Sequence, residues 1–162
     1  MTMRARLVAA VMAVTLTTGP VAAGLLDAPP PTLDGGATAT VVYRMGAVHY
    51  EPGGWVDTSV TCTNLSSAPA VIALEIFDEN DRLAGELAKT TVSVGGKVSF
   101  ATSESADVPG AVVVPRLPAV DHGKARVSAS TTQLACTAVN RVRGSDGTTK
   151  EAALELIKKV GF

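Results

Sequence analysis

Apolar and polar residues alternate along the middle of this chain, most regularly between residues 55 and 102. Val56, Val60 and Cys62 share one parity, and the opposite parity carries acidic or hydroxyl side chains. A period of two is typical of a strand with one buried and one solvated face. Later runs repeat the pattern at Ile72, Leu74, Ile76, and again at Val92, Val94, Val98, Phe100. The pattern predicts successive strands that share one core, with Cys62 on the core side.

Turn-forming residues separate these runs from further β-rich stretches at 38–43, 47–50, 112–114, 124–130 and 133–142. About eight short strands with frequent turn signals are typical of an antiparallel β-sandwich. We therefore predict a mainly β domain over residues 37–143. Gly95-Gly96 is a hairpin candidate, the stretch 112–114 reads as an edge strand because prolines follow it, and 124–130 is expected to pair with 133–142.

The last segment carries a different period. Thr148 and Glu151 have the spacing of a capping box, and the apolar residues that follow recur at helical spacing: Ala153, Leu156, Ile157, Val160. This pattern predicts a short amphipathic C-terminal α-helix over residues 148–161. A helix this short needs an apolar contact, so we expect it to dock either on the sandwich or on a partner.

The chain begins with a pattern typical of a secretory signal peptide. Arg4 and Arg6 precede an apolar run over 7–16, and small residues end at Ala23. The run is too short to cross a bilayer; an uncleaved anchor or an ordinary buried helix is the alternative. We predict a signal peptide over 1–23, cleavage after Ala23, a secreted or periplasmic location, and no transmembrane segment in the mature chain.

Residues 24–36 contain three consecutive prolines and a Gly-Gly pair, with little to bury. This composition predicts a flexible Pro/Gly-rich linker ahead of the sandwich. The 14 Lys and Arg residues nearly balance the 15 Asp and Glu residues, with no long run of one sign. Such a balance argues against a nucleic-acid partner.

The sequence holds two cysteines, Cys62 and Cys136, and each lies on the apolar parity of its stretch. In an oxidising compartment a disulfide is the expected state. Because the two residues come from distant strands, we predict a bridge across the core, which would stabilise the fold by about 4–5 kcal/mol in the chain-entropy model. Two buried free thiols are the alternative.

Candidate chemistry is sparse. The two histidines, His49 and His122, could join Met45 at a copper site, but no blue-copper spacing follows Cys136, and two surface histidines are the simpler interpretation. Asp121 beside His122 suggests a hydrolase, although no nucleophile elbow is present. We therefore predict no catalytic residue, no metal site and no cofactor. Asn64-Leu65-Ser66 has the form of a glycosylation sequon.

Aromatic residues concentrate in one stretch of a chain in which they make up 4% of the residues. The stretch holds Tyr43, His49, Tyr50 and Trp55, whose polar-tipped rings are typical of recognition surfaces. It is the one candidate binding surface in the sequence. Packing of these rings against the core is the alternative.

The stretch from Val60-Thr61-Cys62-Thr63-Asn64 through Ser66-Ser67-Ala68-Pro69 resembles the opening of bacterial immunoglobulin-like modules, including cell-adhesion-related domains. The likeness continues through Ile72 to Asp78 and Val92 to Phe100, so that it spans residues 58–102. It implies an immunoglobulin-like sandwich of about seven or eight strands in the broad sense, because the antibody pattern of Trp and Tyr positions is not followed. Such modules share no catalytic set, so no functional residue is carried over.

The resemblance and the export signal together imply a secreted, non-catalytic binding or structural module of the cell envelope. Its expected partner is an envelope protein or a glycan. Two alternatives stay open at this point: a small secreted hydrolase that uses His122 and Asp121, and a periplasmic metal carrier.

Overall fold

Two five-stranded β-sheets make up the fold. A computed structural model describes residues 28–53, 55–104 and 108–159. The first sheet has the order β10-β1-β7-β3-β4, and the second has the order β6-β5-β2-β8-β9. The strands are β1 (Thr40–Tyr50), β2 (Val56–Asn64), β3 (Ala70–Phe77), β4 (Leu83–Val92), β5 (Lys97–Ala101), β6 (Val112–Val113), β7 (Val120–Ala129), β8 (Leu134–Arg143), β9 (Thr149–Leu154) and β10 (Ile157–Lys158).

One hydrophobic core joins the two sheets. Ile72 and Val127 of the first sheet pack in the same buried cluster as Val60, Cys62 and Phe100 of the second, and each of these side chains is at most 1% exposed. Most inward residues are those that the alternating pattern assigned to the core side, but Val94 is 55% exposed, and Asp57 and Ser59, on the face expected to be solvated, are buried. The prediction of a mainly β, sandwich-like fold is therefore confirmed, with ten strands in place of seven or eight. All pairings are antiparallel except the one between β5 and the short edge strand β6.

The prediction of a C-terminal helix over 148–161 is wrong. In the described part of that segment the chain forms β9, which pairs with β8, and β10, which pairs with β1. Leu154 and Leu156 pack against the core. Their spacing of two residues fits a strand. Glu151, expected to cap a helix, instead accepts a 2.6 Å hydrogen bond from Nε of Arg141. The chain reaches β9 through a tight loop at 144–148, so a hairpin replaces the helix.

Two predicted strand pairings are also wrong, because the chain changes sheets where a hairpin was expected. The strands on either side of residues 130–133, β7 and β8, belong to different sheets. The Gly95-Gly96 turn likewise connects β4 of the first sheet to β5 of the second. Both connections cross from the first sheet to the second. After its crossing, β8 pairs with β2.

The disulfide between Cys62 and Cys136 is present, but it does not cross the core. The two residues are direct partners in the antiparallel β2–β8 ladder, with Cα atoms 4.1 Å apart. Cys62 is fully buried and Cys136 is half-buried. The bridge therefore ties two central strands of one sheet, where we had expected it to tie the two sheets together.

An N-terminal strap, residues 28–39, lies against the first sheet. Leu33 and Ala39 pack with Ala73 of β3 in a second, smaller apolar cluster. Arg126 of β7 donates to the carbonyl oxygens of Ala28 at 2.7 Å and Pro29 at 3.1 Å. Part of the segment predicted as a flexible linker thus contacts the folded domain.

Arg126 also forms a buried ion pair under the strap. Its Nε and Nη2 atoms lie 2.6 and 3.0 Å from the two carboxylate oxygens of Glu75. The side chains are 3% and 8% exposed. Arg126 therefore contacts both the strap and the neighbouring strand β3.

The predicted signal peptide and residues 24–27 lie outside the described residues. Within the part of the chain that is described, no helix has the length and apolar character needed to cross a bilayer.

Candidate functional site

Two successive β-bulges interrupt the pairing between β1 and β7 near one end of the first sheet. Met45 pairs with Ala125, Val48 with Gly123, and Tyr50 with Val120. The first shift therefore adds a residue on β1, and the second adds a residue on β7, which restores the original register. Bulges re-aim side chains and occur often beside functional sites.

The second bulge places two residues, Asp121 and His122, opposite the single residue His49. His122 has a φ of 54° and Ala47, in the first bulge, has a φ of 57°. Residues other than glycine rarely adopt this left-handed conformation, and such strain concentrates at functional sites. The bulges thus gather both histidines of the chain around one carboxylate.

We call His49, Asp121 and His122 the His-Asp-His cluster. The Nδ1 atoms of both histidines lie 2.9 Å from the same oxygen, Oδ1 of Asp121. The imidazole rings meet edge to face, with centroids 5.1 Å apart. The side chain of His49 is 28% exposed, whereas those of Asp121 and His122 are 77% and 76% exposed. The cluster is therefore assembled within the protein and open to solvent on one side.

Side chains from the second sheet hold the backbone of the cluster. The hydroxyl of Thr58, on β2, accepts a 2.9 Å hydrogen bond from the N–H of His49. The amide of Asn140, on β8, donates a 2.7 Å hydrogen bond to the carbonyl of Ala47. Thr58 and Asn140 are direct partners in the β2–β8 ladder, and their side-chain oxygens lie 2.6 Å apart. Thr58 and Asn140 together fix the first bulge from the second sheet.

Gly123 fixes the second bulge. A Cβ atom at this position would lie 2.3 Å from Cγ1 of Val120 and 2.7 Å from the carbonyl oxygen of Phe77. The backbone at the second bulge is therefore too close to its neighbours for any side chain. This close packing keeps Asp121 and His122 in their places beside His49.

A cleft of about 270 Å³ adjoins the cluster, and its lining includes His49 and Asp121. Tyr50 and the carboxylate residue Glu51 also line it, and Val56 and Val120 give it apolar walls. A larger open cleft of about 530 Å³ lies on the other side of Tyr50. Arg116 on that cleft is paired with Glu86 at 2.8 Å, whereas the smaller cleft adjoins both His49 and Asp121 of the cluster.

The predicted aromatic surface is not one surface. Tyr43 is buried, and its hydroxyl donates a 2.8 Å hydrogen bond to the carbonyl of Leu134. Tyr50 is half-buried against the core, and Trp55 is half exposed. His49 alone among the four belongs to the cluster. Met45, considered as a copper ligand, is a buried core residue.

The hydrolase alternative requires a contact between Asp121 and His122 and a nucleophile beside the imidazole. Asp121 and His122 do contact each other, as that alternative required. Yet each imidazole contacts Asp121 and the other ring, and no serine or threonine hydroxyl is hydrogen-bonded to either ring within the described ranges. A nucleophile activated by a histidine should lie within hydrogen-bond reach of it.

Sequence reasoning missed Thr58 and Asn140 as supporting residues. Both lie on the inward parity of their strands, at positions where the pattern calls for an apolar residue. A polar residue on the core side was the available signal, because a buried polar group needs a partner.

No protein-family model matches this chain, and no curated protein matches it. A solved structure described as "Crystal Structure of Thermotoga maritima 1070" is similar, with a TM-score of 0.47 and 11% sequence identity. The similarity covers 72% of this chain and 93% of that chain.

Proposed function

We propose that the protein is an exported, non-catalytic binding module of the cell envelope, built on an immunoglobulin-like sandwich, and that its ligand site is the His-Asp-His cluster with the adjoining cleft. The disulfide between Cys62 and Cys136 fits a chain that folds outside the cytosol. The signal-peptide pattern over residues 1–23 supports the same location. An envelope protein or a glycan is the partner class expected at this location.

One observation carries the proposal: two compensating bulges bring His49, Asp121 and His122 together at one end of the sandwich. Two of the four residues other than glycine that have a positive φ in the described chain, Ala47 and His122, lie in these bulges, and strained backbone of this kind is found at functional sites. The side chains that result are polar, partly exposed and held by a rigid backbone. Rigid elements that present a few polar groups beside a cleft are typical of a binding site.

Export is tested by mass spectrometry of the protein recovered from the producing cells. The expected result is a mature chain that begins after Ala23, found outside the cytosol with its disulfide formed. A full-length chain recovered from the cytosol with free thiols would contradict the proposal.

Binding is tested by cosedimentation of the mature chain with cell-envelope material from the same cells. We expect the wild-type chain to sediment with the envelope, and the triple variant His49→Ala, Asp121→Ala, His122→Ala to stay in solution. Gln133→Ala is the matched control, because Gln133 is exposed near the opposite end of β7. Equal sedimentation of the triple variant and the wild type, with both folded by circular dichroism, would refute the assignment of the site.

A further inference from the structure

We infer that the His-Asp-His cluster binds a divalent transition-metal ion. The inference rests on the proposed function, because it names the ligand of the same surface. It starts from the identity of the three donors: two imidazole nitrogens and one carboxylate oxygen, each from a different side chain, all within 4.8 Å of one another. No other group of three such residues in the described ranges meets that distance.

The spacing of the donors suits an ion of this size. Bonds of about 2.0–2.1 Å to nitrogen and oxygen place tetrahedral donors roughly 3.3 Å apart. In the cluster, each Nδ1 lies 2.9 Å from Oδ1 of Asp121. For an ion to be held, the two N–O separations would have to open by a few tenths of an ångström, and the two imidazole nitrogens, which lie within 4.8 Å of each other, would have to take up a similar spacing. Asp121 and His122 are three-quarters exposed, so no packed neighbour opposes that movement.

The backbone that carries the donors is already fixed. Thr58 holds the peptide of His49 from the opposite sheet, and the close packing at Gly123 fixes the chain that bears His122. Binding then costs the ordering of three short side chains and no rearrangement of strands. Preorganisation of this kind raises affinity by reducing the entropy lost on binding.

The donor types select the class of metal. Imidazole nitrogen suits Zn²⁺, Cu²⁺, Ni²⁺ and Fe²⁺, whereas Ca²⁺ and Mg²⁺ prefer sites built of oxygen. Cu²⁺ should bind more tightly than Zn²⁺, in keeping with the general order of affinities for such donors. Because the protein supplies three donors, a tetrahedral ion keeps one position for water or for an added ligand from the adjoining cleft. The site is of the open kind, from which an ion can exchange.

The test is titration calorimetry of the untagged, metal-free mature chain with ZnCl₂, with native mass spectrometry to count the ions. We expect one Zn²⁺ per chain, and no binding of Ca²⁺ or Mg²⁺. His49→Ala and His122→Ala should each weaken Zn²⁺ binding at least about tenfold, and the double variant should abolish it, since two of three donors are lost. Asp121→Asn should weaken binding as well, because it removes the charged donor.

Glu79→Gln is the matched control: it removes an exposed carboxylate outside the cluster and should bind Zn²⁺ like the wild type. Urea unfolding of each variant checks the fold, which should stay intact because none of these side chains is fully buried. Absence of Zn²⁺ binding, or binding that survives in the double histidine variant, would overturn the inference. Envelope binding that persists in EDTA and still needs the cluster would rule out a bound metal ion and would leave the proposed function standing.

Discussion

Thr58 and His49 belong to different sheets, yet the hydroxyl oxygen of Thr58 lies 2.9 Å from the backbone nitrogen of His49 and 3.0 Å from its carbonyl oxygen. The side chain of Thr58 is buried between the sheets. Thr58 of β2 thus fixes the backbone position from which β1 presents the imidazole of His49 at the surface. The geometry of the surface cluster is set from inside the sandwich.

Thr58→Val tests this relationship, because valine keeps the shape of threonine and removes the hydroxyl. We expect Zn²⁺ affinity to fall about tenfold, the low end of the range for outer-shell partners of metal ligands, because Thr58 holds the backbone of His49 and not its ring. Thr58→Ser should restore most of the affinity. Calorimetry gives the affinity and urea unfolding gives the stability. A loss of stability at unchanged affinity would show that Thr58 only supports the fold.

The disulfide is expected to contribute to global stability. Replacing both cysteines with alanine should lower the free energy of unfolding by about 2–5 kcal/mol, because the bridge closes a long loop in the unfolded chain. Urea unfolding of the oxidised wild type and the double variant measures the difference. Equal unfolding midpoints would show that the β2–β8 ladder needs no covalent tie.

The buried pair of Arg126 and Glu75 holds the N-terminal strap. Arg126→Ala leaves a carboxylate buried with its main partner removed, so we expect a loss of about 3–5 kcal/mol in the free energy of unfolding. Hydrogen exchange of residues 28–39 should accelerate. Lys89→Ala is the control, since its ion pair with Asp34 is exposed and should cost at most about 1 kcal/mol. Unchanged hydrogen exchange of residues 28–39 in the Arg126→Ala variant would show that this ion pair does not hold the strap.

Asn64 should not be glycosylated, although it begins a sequon. Its side chain is fully buried; Nδ2 donates to the carbonyls of Ala68 and Val92, and Oδ1 accepts from Ser66. Expression in a glycosylating host should yield the unmodified mass. Asn64→Ala should cost about 2–3 kcal/mol, because several hydrogen bonds worth about 1 kcal/mol each are lost. A glycan mass on folded protein would contradict the placement of Asn64.

The lowered pKa of Asp146, in the β8–β9 loop, should make the stability of the protein depend on pH in the acidic range. Hydrogen bonds from the hydroxyl and then the backbone N–H of Thr148 hold the pKa of Asp146 below its ordinary value of 3.8. A lowered folded pKa means that the stabilisation is complete above 3.8 and is lost as the pH falls through the folded value.

Asp146→Asn keeps a neutral acceptor, so the stability difference between wild type and variant should shrink as the pH falls below the ordinary value of 3.8. Urea midpoints measured across that acidic range provide the test. A difference that stays constant with pH would show that the charge of Asp146 contributes nothing.

The alternating pattern predicted most of the apolar core, but it was ambiguous where two periods coincide. Val60, Cys62, Ile72 and Phe100 are buried as predicted because a half-buried strand leaves little choice of parity. In the C-terminal segment, Leu154 and Leu156 fit a strand while Leu156 and Val160 fit a helix. The pairing with β8 decides between them, and it depends on contacts that local spacing does not encode.

The candidate site was predicted in pieces. The copper hypothesis joined His49 with His122 and the hydrolase hypothesis joined Asp121 with His122, but no hypothesis brought all three together. Their meeting depends on a register shift in each of two strands that are far apart in the sequence. No local pattern specifies which residues of β7 face β1. The polar residues Thr58 and Asn140, on the core side of their strands, were the one sequence feature that marked this end of the sandwich as different.

The position of β10 has a consequence for how the polypeptide reaches its native state. Residues 157–158 pair with β1, so the earliest strand of the first sheet acquires its outer neighbour from the far end of the described chain. Such distant pairing is slow to form, and it cannot begin before residues 157–158 have been synthesised. The first sheet therefore lacks its outer strand until residues 157–158 have left the ribosome.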